Sequence, residues 1–500
     1  MLKKAMTSAD ISLSNTDPCY LPAHLLAAAI AARRLSPVDV VEAMLGRIAA
    51  HDPKLHAFID VYADDARLAA EAADKAIRAG HAVGPVHGVP IALKDLIDIE
   101  GRITTGGSMA WRERRSPVTA TLARRFFAQG MIVLGKTHTV EFAMGGWGTN
   151  QHMGTPWNPW DAAIARTPGG SSSGSGVAVA ARIAPWAIGT DTGGSVRLPA
   201  SFCGITGLKP TIGRLSTHGI IPLSNSLDTP GPMARAVEDA AVLYTVLQGS
   251  DPLSPATRGI AVDDPMPTLR RGVRGLRIAR MPSAEREGVA PDTLAAYDTS
   301  IDMLADLGAE ILDVELPFTF MECLEASAIS QAESYLFNGY LAEDPTKQLD
   351  DAVRKRVLVG ANISANAYLT TKLLQQELKQ KFYTAVEGID ALLTPTTESA
   401  AIPLGEVDED KSPARFTRFG NFLELCALAI PNGFTASGLP LSLQIVCRGY
   451  DEAMALRIGY AVQQATRWHQ RLPSLAKIEA SKIPAPSGAA VRSVEDGAVV

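Results

Sequence analysis

The pattern of apolar and polar positions predicts a sheet of short strands connected by helices. Apolar residues at helical spacing predict helices over residues 21–32, 36–51, 63–79, 119–129, 236–247, 292–307 and 451–470, and a helical region over 318–385. Short apolar runs bounded by glycine, proline or polar residues predict strands over residues 89–94, 131–134, 186–190, 275–279, 309–314, 389–393 and 439–446.

The predicted elements follow one another as strand, helix, strand in two places, over residues 89–134 and 275–314. This order is typical of right-handed βαβ units in a parallel sheet. We therefore predict an α/β fold with a mainly parallel sheet, covered by helices whose charged side chains face solvent. After residue 478, small and charged residues without periodicity predict a disordered tail over 479–500.

Composition excludes several classes of protein. Of the 500 residues, 46% are hydrophobic and 20% are charged, and the net charge of −6 gives no basic surface for nucleic acid. The five cysteines form no C-x-x-C pair, so we predict neither a disulfide framework nor a metal site. No apolar stretch has the length of a signal peptide core or a membrane span, and we expect a cytoplasmic protein that does not bind membranes.

Two glycine- and serine-rich turns, over residues 169–174 and 191–195, lie on either side of a short apolar stretch. Residues 177–183 predict a helix whose N-terminus points back at the first turn. Pro185 ends this helix, and the strand over 186–190 returns the chain to where the helix began. The two turns are therefore expected to lie together.

This return brings hydroxyl groups and backbone amides to one place. We expect Ser171 and Ser195 to meet there, although they are distant in the sequence. Gly193 and Gly194 lack a Cβ, so their backbone N–H groups can approach a ligand closely. Such free amides are what an oxyanion hole requires.

Three motifs resemble those of the amidase signature hydrolases. They are the glycine-serine turn over 169–174, the run GTDTGGSVRLPASFCGITGLKPT over 189–211, and the upstream run GVPIALKD over 88–95. They follow one another in the order that this family has, and fainter similarity extends from about residue 20 to about residue 472. Three separated motifs in the right order are a far more specific signal than one glycine-rich loop.

The resemblance implies roles for single residues. It assigns the nucleophile to Ser195, the terminal base to Lys94, and the bridging serine beside a cis peptide bond to Ser171. The oxyanion-hole segment that it implies comprises Thr192, Gly193 and Gly194. The implied supporting residues are Asp191, Arg197 and Ser172. The implied substrate-binding residues are Met144, Gly145 and Gly170.

The chemistry of these residue types agrees with the resemblance. A serine hydroxyl is a poor nucleophile until a base takes its proton, and none of the nine histidines is placed obviously for that role. Lysine can act instead when burial lowers its pKa and leaves the amine neutral. Lys94 follows an apolar run, which would desolvate it. Because a hydroxyl both donates and accepts, Ser171 can relay the proton from Ser195 to Lys94.

Other interpretations of these motifs are less consistent with the sequence. A flexible linker would not be followed by a buried helix and strand, and a phosphate loop would end in Gly-Lys-Ser or Gly-Lys-Thr. The turn also matches G-x-S-x-G, which would make Ser172 the nucleophile of an α/β-hydrolase. That elbow requires a preceding strand, whereas three prolines lie at positions 156, 159 and 168. Lys94 taken alone would be an exposed lysine closing a strand, and the serine motifs reverse this interpretation.

The resemblance also implies the fold and the reaction. The implied fold is a large mixed, mostly parallel β-sheet with helices on both sides, forming one amidase domain over 21–478 after an N-terminal extension over 1–20. The implied reaction is hydrolysis of the C–N bond of an amide, carbamate or anilide through an acyl-enzyme on Ser195, without metal or cofactor. Substrates in the family range from aliphatic amides and aryl acylamides to peptide amides, fatty amides, carbamates and urea derivatives.

Two alternative functions remain on the sequence. One is the glutamine-hydrolysing component of a tRNA-dependent amidotransferase, which requires partner subunits. The stretches 418–422 and 429–432 depart from that component's usual glycine-leucine-proline sequence, and this favours a stand-alone amidase with a small-molecule substrate. The other is a binding protein on the same fold, which the filled positions Lys94, Ser171 and Ser195 disfavour. A homodimer is compatible with the sequence, which contains no evidence for it.

Overall fold

The computed structural model describes residues 17–476, and all of its named strands belong to one sheet. The strands are β1 Phe58–Val61, β2 Pro90–Lys94, β3 Ile132–Thr137, β4 Trp186–Asp191, β5 Thr206–Lys209, β6 Thr229–Ala234, β7 Arg277–Arg280, β8 Glu310–Asp313, β9 Ala391–Pro395, β10 Cys426–Phe434 and β11 Pro440–Cys447. Across the sheet their order is β1-β3-β2-β4-β6-β5-β10-β11-β9-β7-β8.

The sheet is large and mixed, as predicted. Parallel pairing occurs in two groups, β3-β2-β4 and β9-β7-β8. The strands between these groups, and β1 at one edge, pair antiparallel. Among the described strands, four pairs are therefore parallel and six antiparallel. Parallel pairing is thus a smaller share of the sheet than we predicted.

Helices cover the sheet and supply much of the core. The α-helices are α1 Ala23–Ala31, α2 Pro37–Leu55, α3 Ala63–Arg78, α4 Thr121–Ala128, α5 Ser173–Ala180, α6 Arg197–Cys203, α7 Val237–Leu247, α8 Met266–Leu269, α9 Pro291–Asp306, α10 Phe320–Glu325, α11 Ala328–Ala342, α12 Asp351–Val359, α13 Ala365–Ala385, α14 Arg415–Phe422 and α15 Glu452–Thr466. Both predicted βαβ units are confirmed, because β2 pairs with β3 and β7 with β8 in parallel.

Four strands were not predicted: β1, β5, β6 and β10. Strand β6 contains Pro230 and Pro232, which cannot donate a ladder hydrogen bond and are rare in central strands. It nevertheless lies between β4 and β5. The segment 135–137, which lies beyond the strand predicted over 131–134, completes β3, and its Lys136 is buried beside Asp95 at 3.5 Å.

The ends of the predicted domain lie partly outside the described residues. The predicted tail over 479–500 and most of the predicted extension over 1–20 fall there. Cys19, at the end of that extension, is fully buried, and its carbonyl oxygen accepts a hydrogen bond from Arg235 at 3.0 Å. Within residues 17–476, none of the helices has both the length and the apolar character required to span a membrane.

Candidate active site

Strand β2 carries Lys94 into the centre of the molecule. Its Nζ lies 2.7 Å from the Ser171 hydroxyl oxygen and 2.8 Å from that of Thr190. Lys94 is fully buried, because β2 lies between β3 and β4. Burial lowers the pKa of Lys94 to about 7, while the negative charges of Asp228 and Asp191 act in the opposite direction. The desolvated lysine expected from the sequence is therefore present and in contact with Ser171.

The first glycine-serine turn leads into α5, as predicted. The peptide bond between Gly170 and Ser171 is cis, as the family resemblance implied. The Ser171 carbonyl oxygen accepts from the backbone N–H groups of Val140 at 3.1 Å and Ser173 at 2.9 Å. The Ser172 hydroxyl donates to the Thr190 carbonyl oxygen and accepts from the Thr190 amide, both at 3.2 Å. Ser172 is therefore held against β4, and no strand precedes it as a nucleophile elbow would need.

The second turn brings Ser195 to the first. The Ser172 amide donates to the Ser195 carbonyl oxygen at 3.2 Å, and Ser195 is 7% exposed. Ser171 contacts Lys94, whereas the Ser195 hydroxyl has no hydrogen-bond partner within residues 17–476. The structure thus contains the Ser171–Lys94 half of the predicted relay. The other half, from Ser195 to Ser171, is not a hydrogen bond in this state.

A buried ion pair fixes the shape of the second turn. Both carboxylate oxygens of Asp191 accept from Arg197, at 2.9 and 3.0 Å. They also accept from the backbone amides of Gly194 at 2.7 Å and Val196 at 3.1 Å, and from the Asn421 side chain at 2.9 Å. The Arg197 charge lowers the pKa of Asp191 well below its usual range, although burial acts in the opposite direction. The supporting positions Asp191 and Arg197 thus brace the turn from inside.

This bracing changes the expected set of oxyanion donors. The Gly194 amide already donates to Asp191 and is not free. The amides of Thr192, Gly193 and Ser195 have no acceptor in the described part of the chain. Gly194 has a φ of 136°, a conformation that residues with a Cβ rarely adopt. Its glycine is therefore needed for backbone shape, and the neighbouring amides are the available donors.

The segment containing Met144 and Gly145 packs against the serine turn. A Cβ on Gly170 would lie 2.7 Å from the Gly148 amide nitrogen and 2.9 Å from the Gly145 carbonyl oxygen. The Gly170 amide donates to the Gly146 carbonyl oxygen at 2.7 Å. Met144 and Gly145 are both partly exposed. The structure therefore places Gly145 against Gly170 at the serine turn, and Met144 directly precedes Gly145.

Thr190 and Asp228 belong to the site but were not singled out from the sequence. The Asp228 carboxylate accepts from the Thr192 hydroxyl at 2.5 Å and from the amides of Leu223 and Ser224. Burial raises the pKa of Asp228 to about 6, against these hydrogen bonds. Thr190 stood within the quoted 189–211 run, so its contact with Lys94 could have been suspected. Asp228 directly precedes β6, a strand that its prolines concealed.

A small cavity lies beside Thr190 and Asp228. It has a volume of about 90 Å³, far below the roughly 300–1,000 Å³ of pockets for drug-sized ligands. Thr190, Thr192 and Asp228 form polar parts of its wall. The apolar side of the wall is formed by Leu96, Ala143, Ile220, Ile221 and Leu223. The cavity has room for a small substituent beside the polar groups of the turn.

Comparison with known proteins identifies the family. The family model described as Amidase matches residues 39–456. The chain belongs to the amidase signature family. Membership supports hydrolysis of amide C–N bonds as the class of reaction. Curated relatives include the A-type subunit of glutamyl-tRNA(Gln) amidotransferase from Chloroflexus aggregans, 37% identical over 92% of this chain and 100% of the relative. The protein of the same name from Geobacter metallireducens is 36% identical over 90% of this chain and 98% of the relative.

Solved structures of the family share the fold. One, from a vestigial protein complex that reveals the evolutionary origins of an s-triazine catabolic enzyme, has a TM-score of 0.83 and 31% identity, covering 89% of this chain and 99% of its own. The peptide amidase of Stenotrophomonas maltophilia has a TM-score of 0.80 and 32% identity, covering 91% of this chain and 98% of its own. The family therefore contains proteins that act in complexes as well as peptide amidases.

Proposed function

We propose that the chain hydrolyses the C–N bond of a carboxylic amide through an acyl-enzyme on Ser195. The observation that carries this proposal is the fully buried Lys94, with Nζ 2.7 Å from the Ser171 hydroxyl. A lysine whose pKa is about 7 is half neutral at pH 7 and largely neutral at higher pH, so its lone pair can accept the Ser171 proton. Ser171 in turn takes the proton of Ser195 as the latter attacks.

The proton is then transferred to the leaving group. Ser195 Oγ bonds to the amide carbon, and the oxyanion that forms faces the free amides of Thr192 and Gly193. Collapse of this intermediate breaks the C–N bond, and the leaving nitrogen receives the proton back from Lys94 through Ser171. Water adds to the acyl-enzyme by the same relay and releases the acid. General-base help of this kind contributes about 10²–10⁴-fold to the rate.

A second candidate specifies glutamine as the amide. The relatives named as glutamyl-tRNA(Gln) amidotransferase subunits are 36–38% identical, and they match over nearly their whole length. These relatives support glutamine hydrolysis within a multi-subunit enzyme better than they support the stand-alone amidase that we favoured from residues 418–432. In that role the chain would act with protein partners, and ammonia would be transferred to an acylated tRNA. Both candidates use the same three residues.

The test measures ammonia or amine release by the purified chain. The panel comprises an aliphatic amide, an anilide, an aryl carbamate and glutamine. We expect Ser195→Ala to lower turnover at least about 10³-fold, since it removes the nucleophile. The matched control is Ser173→Ala, whose buried hydroxyl has no hydrogen-bond partner among residues 17–476. Full turnover by Ser195→Ala would refute the proposal. Activity toward glutamine only after partner subunits are added would favour the second candidate.

A further inference from the structure

The amidase chemistry leaves one charged side chain beside the nucleophile turn without a role. Arg418 lies on α14, and its Nη1 lies 3.5 Å from the Thr192 carbonyl oxygen. A Cβ built on Gly193 would lie 2.6 Å from the same Nη1. The guanidinium therefore packs against the backbone two residues before Ser195.

The protein supplies too few acceptors for this guanidinium. A guanidinium has five N–H donors, and in the described part of the chain Arg418 makes two hydrogen bonds, to the Thr192 carbonyl oxygen and to the Ser330 hydroxyl at 2.5 Å. Its Nε is buried and has no partner among the described residues. Within residues 17–476, no carboxylate oxygen lies within 4.0 Å of it. A partly buried cation in this condition is costly unless an anion completes it.

The acidic groups of the surrounding region already have partners. Asp191 is held by Arg197, and Asp228 accepts from the Thr192 hydroxyl and two backbone amides. Glu333, one helical turn from Ser330 on α11, has four donors of its own. These donors are the Ser224 hydroxyl, the Ser226 amide, the Ser226 hydroxyl and the Tyr368 hydroxyl. None of these carboxylates therefore accepts a hydrogen bond from Arg418, although the negative charges of Asp191 and Asp228 act on the guanidinium from a distance.

The place of Arg418 is accessible to a substrate. Arg418 and Gly193 both keep part of their surface exposed, and Ser195 is 7% exposed. The Thr192 and Gly193 amides, which face the scissile carbonyl in the proposed mechanism, belong to the backbone that Arg418 contacts. The guanidinium therefore contacts the backbone segment whose amides are the proposed oxyanion donors.

We propose that Arg418 binds a carboxylate on the substrate, so that the chain hydrolyses amides that also carry a carboxylate group. This inference rests on the proposed function, because it takes Ser195 as the reacting residue. One hydrogen on each Nη remains free, and these two can form parallel hydrogen bonds to a carboxylate, a geometry that a guanidinium matches well. Arg418 is then a specificity-determining residue, and the chemistry stays with Ser195, Ser171 and Lys94.

Two kinds of substrate share this chemistry. Glutamine carries a carboxylate and an ammonium group, whereas the monoamide of a dicarboxylic acid carries the carboxylate alone. Arg418 recognises the carboxylate that both share, and the experiment below distinguishes the two sources.

The experiment compares amides that differ in one group. Glutaramate is glutamine without its ammonium group, and pentanamide is glutaramate with a methyl group in place of the carboxylate. Succinamate and butanamide form a shorter pair of the same kind. For the full chain we expect kcat/KM to be higher for the carboxylate member of at least one pair by about 10-fold or more. A preference for glutamine over glutaramate would identify the amino acid as the source of the carboxylate.

Variants of α14 locate the source of this preference. We expect Arg418→Met to lower the ratio of the two kcat/KM values about 10-fold or more, and Arg418→Lys to lower it less, because lysine keeps the charge but not the fork. The matched control is Arg415→Met on the same helix, where the guanidinium is already paired with Glu285 and Glu398. Its ratio should equal that of the wild type, since a ratio does not depend on the fraction of folded enzyme. An unchanged ratio in Arg418→Met overturns the inference.

A binding measurement separates this inference from the proposed function. The Ser195→Ala chain is titrated calorimetrically with glutaramate and with pentanamide. The same two titrations are then repeated with the double variant that carries Ser195→Ala and Arg418→Met. Tighter binding of glutaramate that disappears in the double variant supports the inference, even if the wild type releases no ammonia and the proposed function fails. Equal affinity for the two compounds, or no binding of either, overturns the inference whatever the turnover.

Discussion

Two arginines pack against the nucleophile turn, and their surroundings differ sharply. Arg197 is fully buried and donates to Asp191, to the Thr417 carbonyl oxygen, and to the side chains of Gln444 and Asn421. Arg418 is partly exposed and makes two hydrogen bonds, neither of them to a carboxylate. The comparison teaches that residue type and proximity do not decide a role. The number of satisfied donors separates a guanidinium that holds the fold from one that is available to a ligand.

The largest effect is expected when Arg197, the fully buried arginine, is replaced. Arg197→Met leaves the buried Asp191 carboxylate without its counter-ion, and such a loss costs about 3–5 kcal/mol of the free energy of unfolding. Arg418→Met removes no ion pair, and we expect it to change stability by no more than about 0.5 kcal/mol. Urea titration followed by circular dichroism measures both. Equal losses in the two variants would contradict the division of roles between these arginines.

The next effect concerns the base behind the turn. Lys94 must be neutral to accept a proton, and its pKa is about 7. We therefore expect kcat/KM to fall about tenfold for each pH unit below 7, reaching about 100-fold at pH 5. The Asp228 charge raises the pKa of Lys94, so Asp228→Asn should move this acidic limb to lower pH. A flat profile between pH 5 and 8 in the wild type, or a shift to higher pH in the variant, would exclude Lys94 as the titrating base.

A smaller effect concerns the contact between Gly193 and Arg418, the partly exposed arginine. The Cβ of Gly193→Ala would lie 2.6 Å from Arg418 Nη1, so the flexible end of that side chain must move. The backbone of Gly193 is outside the left-handed region, and alanine can adopt it. We expect the ratio of kcat/KM for glutaramate over pentanamide to fall about 3- to 10-fold, less than in Arg418→Met. A fall in activity toward both compounds alike would instead indicate damage to the oxyanion donors.

The smallest expected effect concerns the hydrogen bonds between the Ser172 hydroxyl and the Thr190 backbone. The Ser172 hydroxyl bonds both the amide and the carbonyl oxygen of Thr190, so Ser172→Ala should cost about 1 kcal/mol of unfolding free energy. Ser173→Ala is the matched control, because the Ser173 hydroxyl has no hydrogen-bond partner in the part of the chain that the structure describes. Urea midpoints measure the difference. A greater loss in Ser173→Ala than in Ser172→Ala would show that the hydrogen bonds to Thr190 do not hold the turn.

Local pattern predicted the elements that carry their own signals. The helix after the serine turn, the strand ending at Lys94 and both βαβ units follow from periodicity and from stop signals such as Pro185. The helix α2 begins where Ser36 accepts from the Val38 amide, which is a cap visible in the sequence. These features depend on residues close together in the chain, so a sequence is enough to find them.

Strands that depend on distant neighbours were missed. Strand β6 pairs with β4 along its whole length although Pro230 and Pro232 disfavour a central strand. Pairing with neighbouring strands, and not its own sequence, makes this segment a strand. Strand β10 lies in the region 426–434, part of which we had used only to distinguish branches of the family. The antiparallel centre of the sheet, to which both strands belong, was therefore underestimated.

The sequence by itself determined that two serine turns flank a helix and a strand, that Lys94 ends an apolar strand, and that this combination matches one family of hydrolases. Only the tertiary structure decided which polar groups are already satisfied. It gave the Gly194 amide to Asp191, placed Asp228 near Lys94 and, within residues 17–476, left the Nε of Arg418 without a hydrogen-bond acceptor. The physical reason is that hydrogen bonds and ion pairs form between residues far apart in the chain. The number of hydrogen-bond and ion-pair partners of each polar group is therefore defined only in the folded chain.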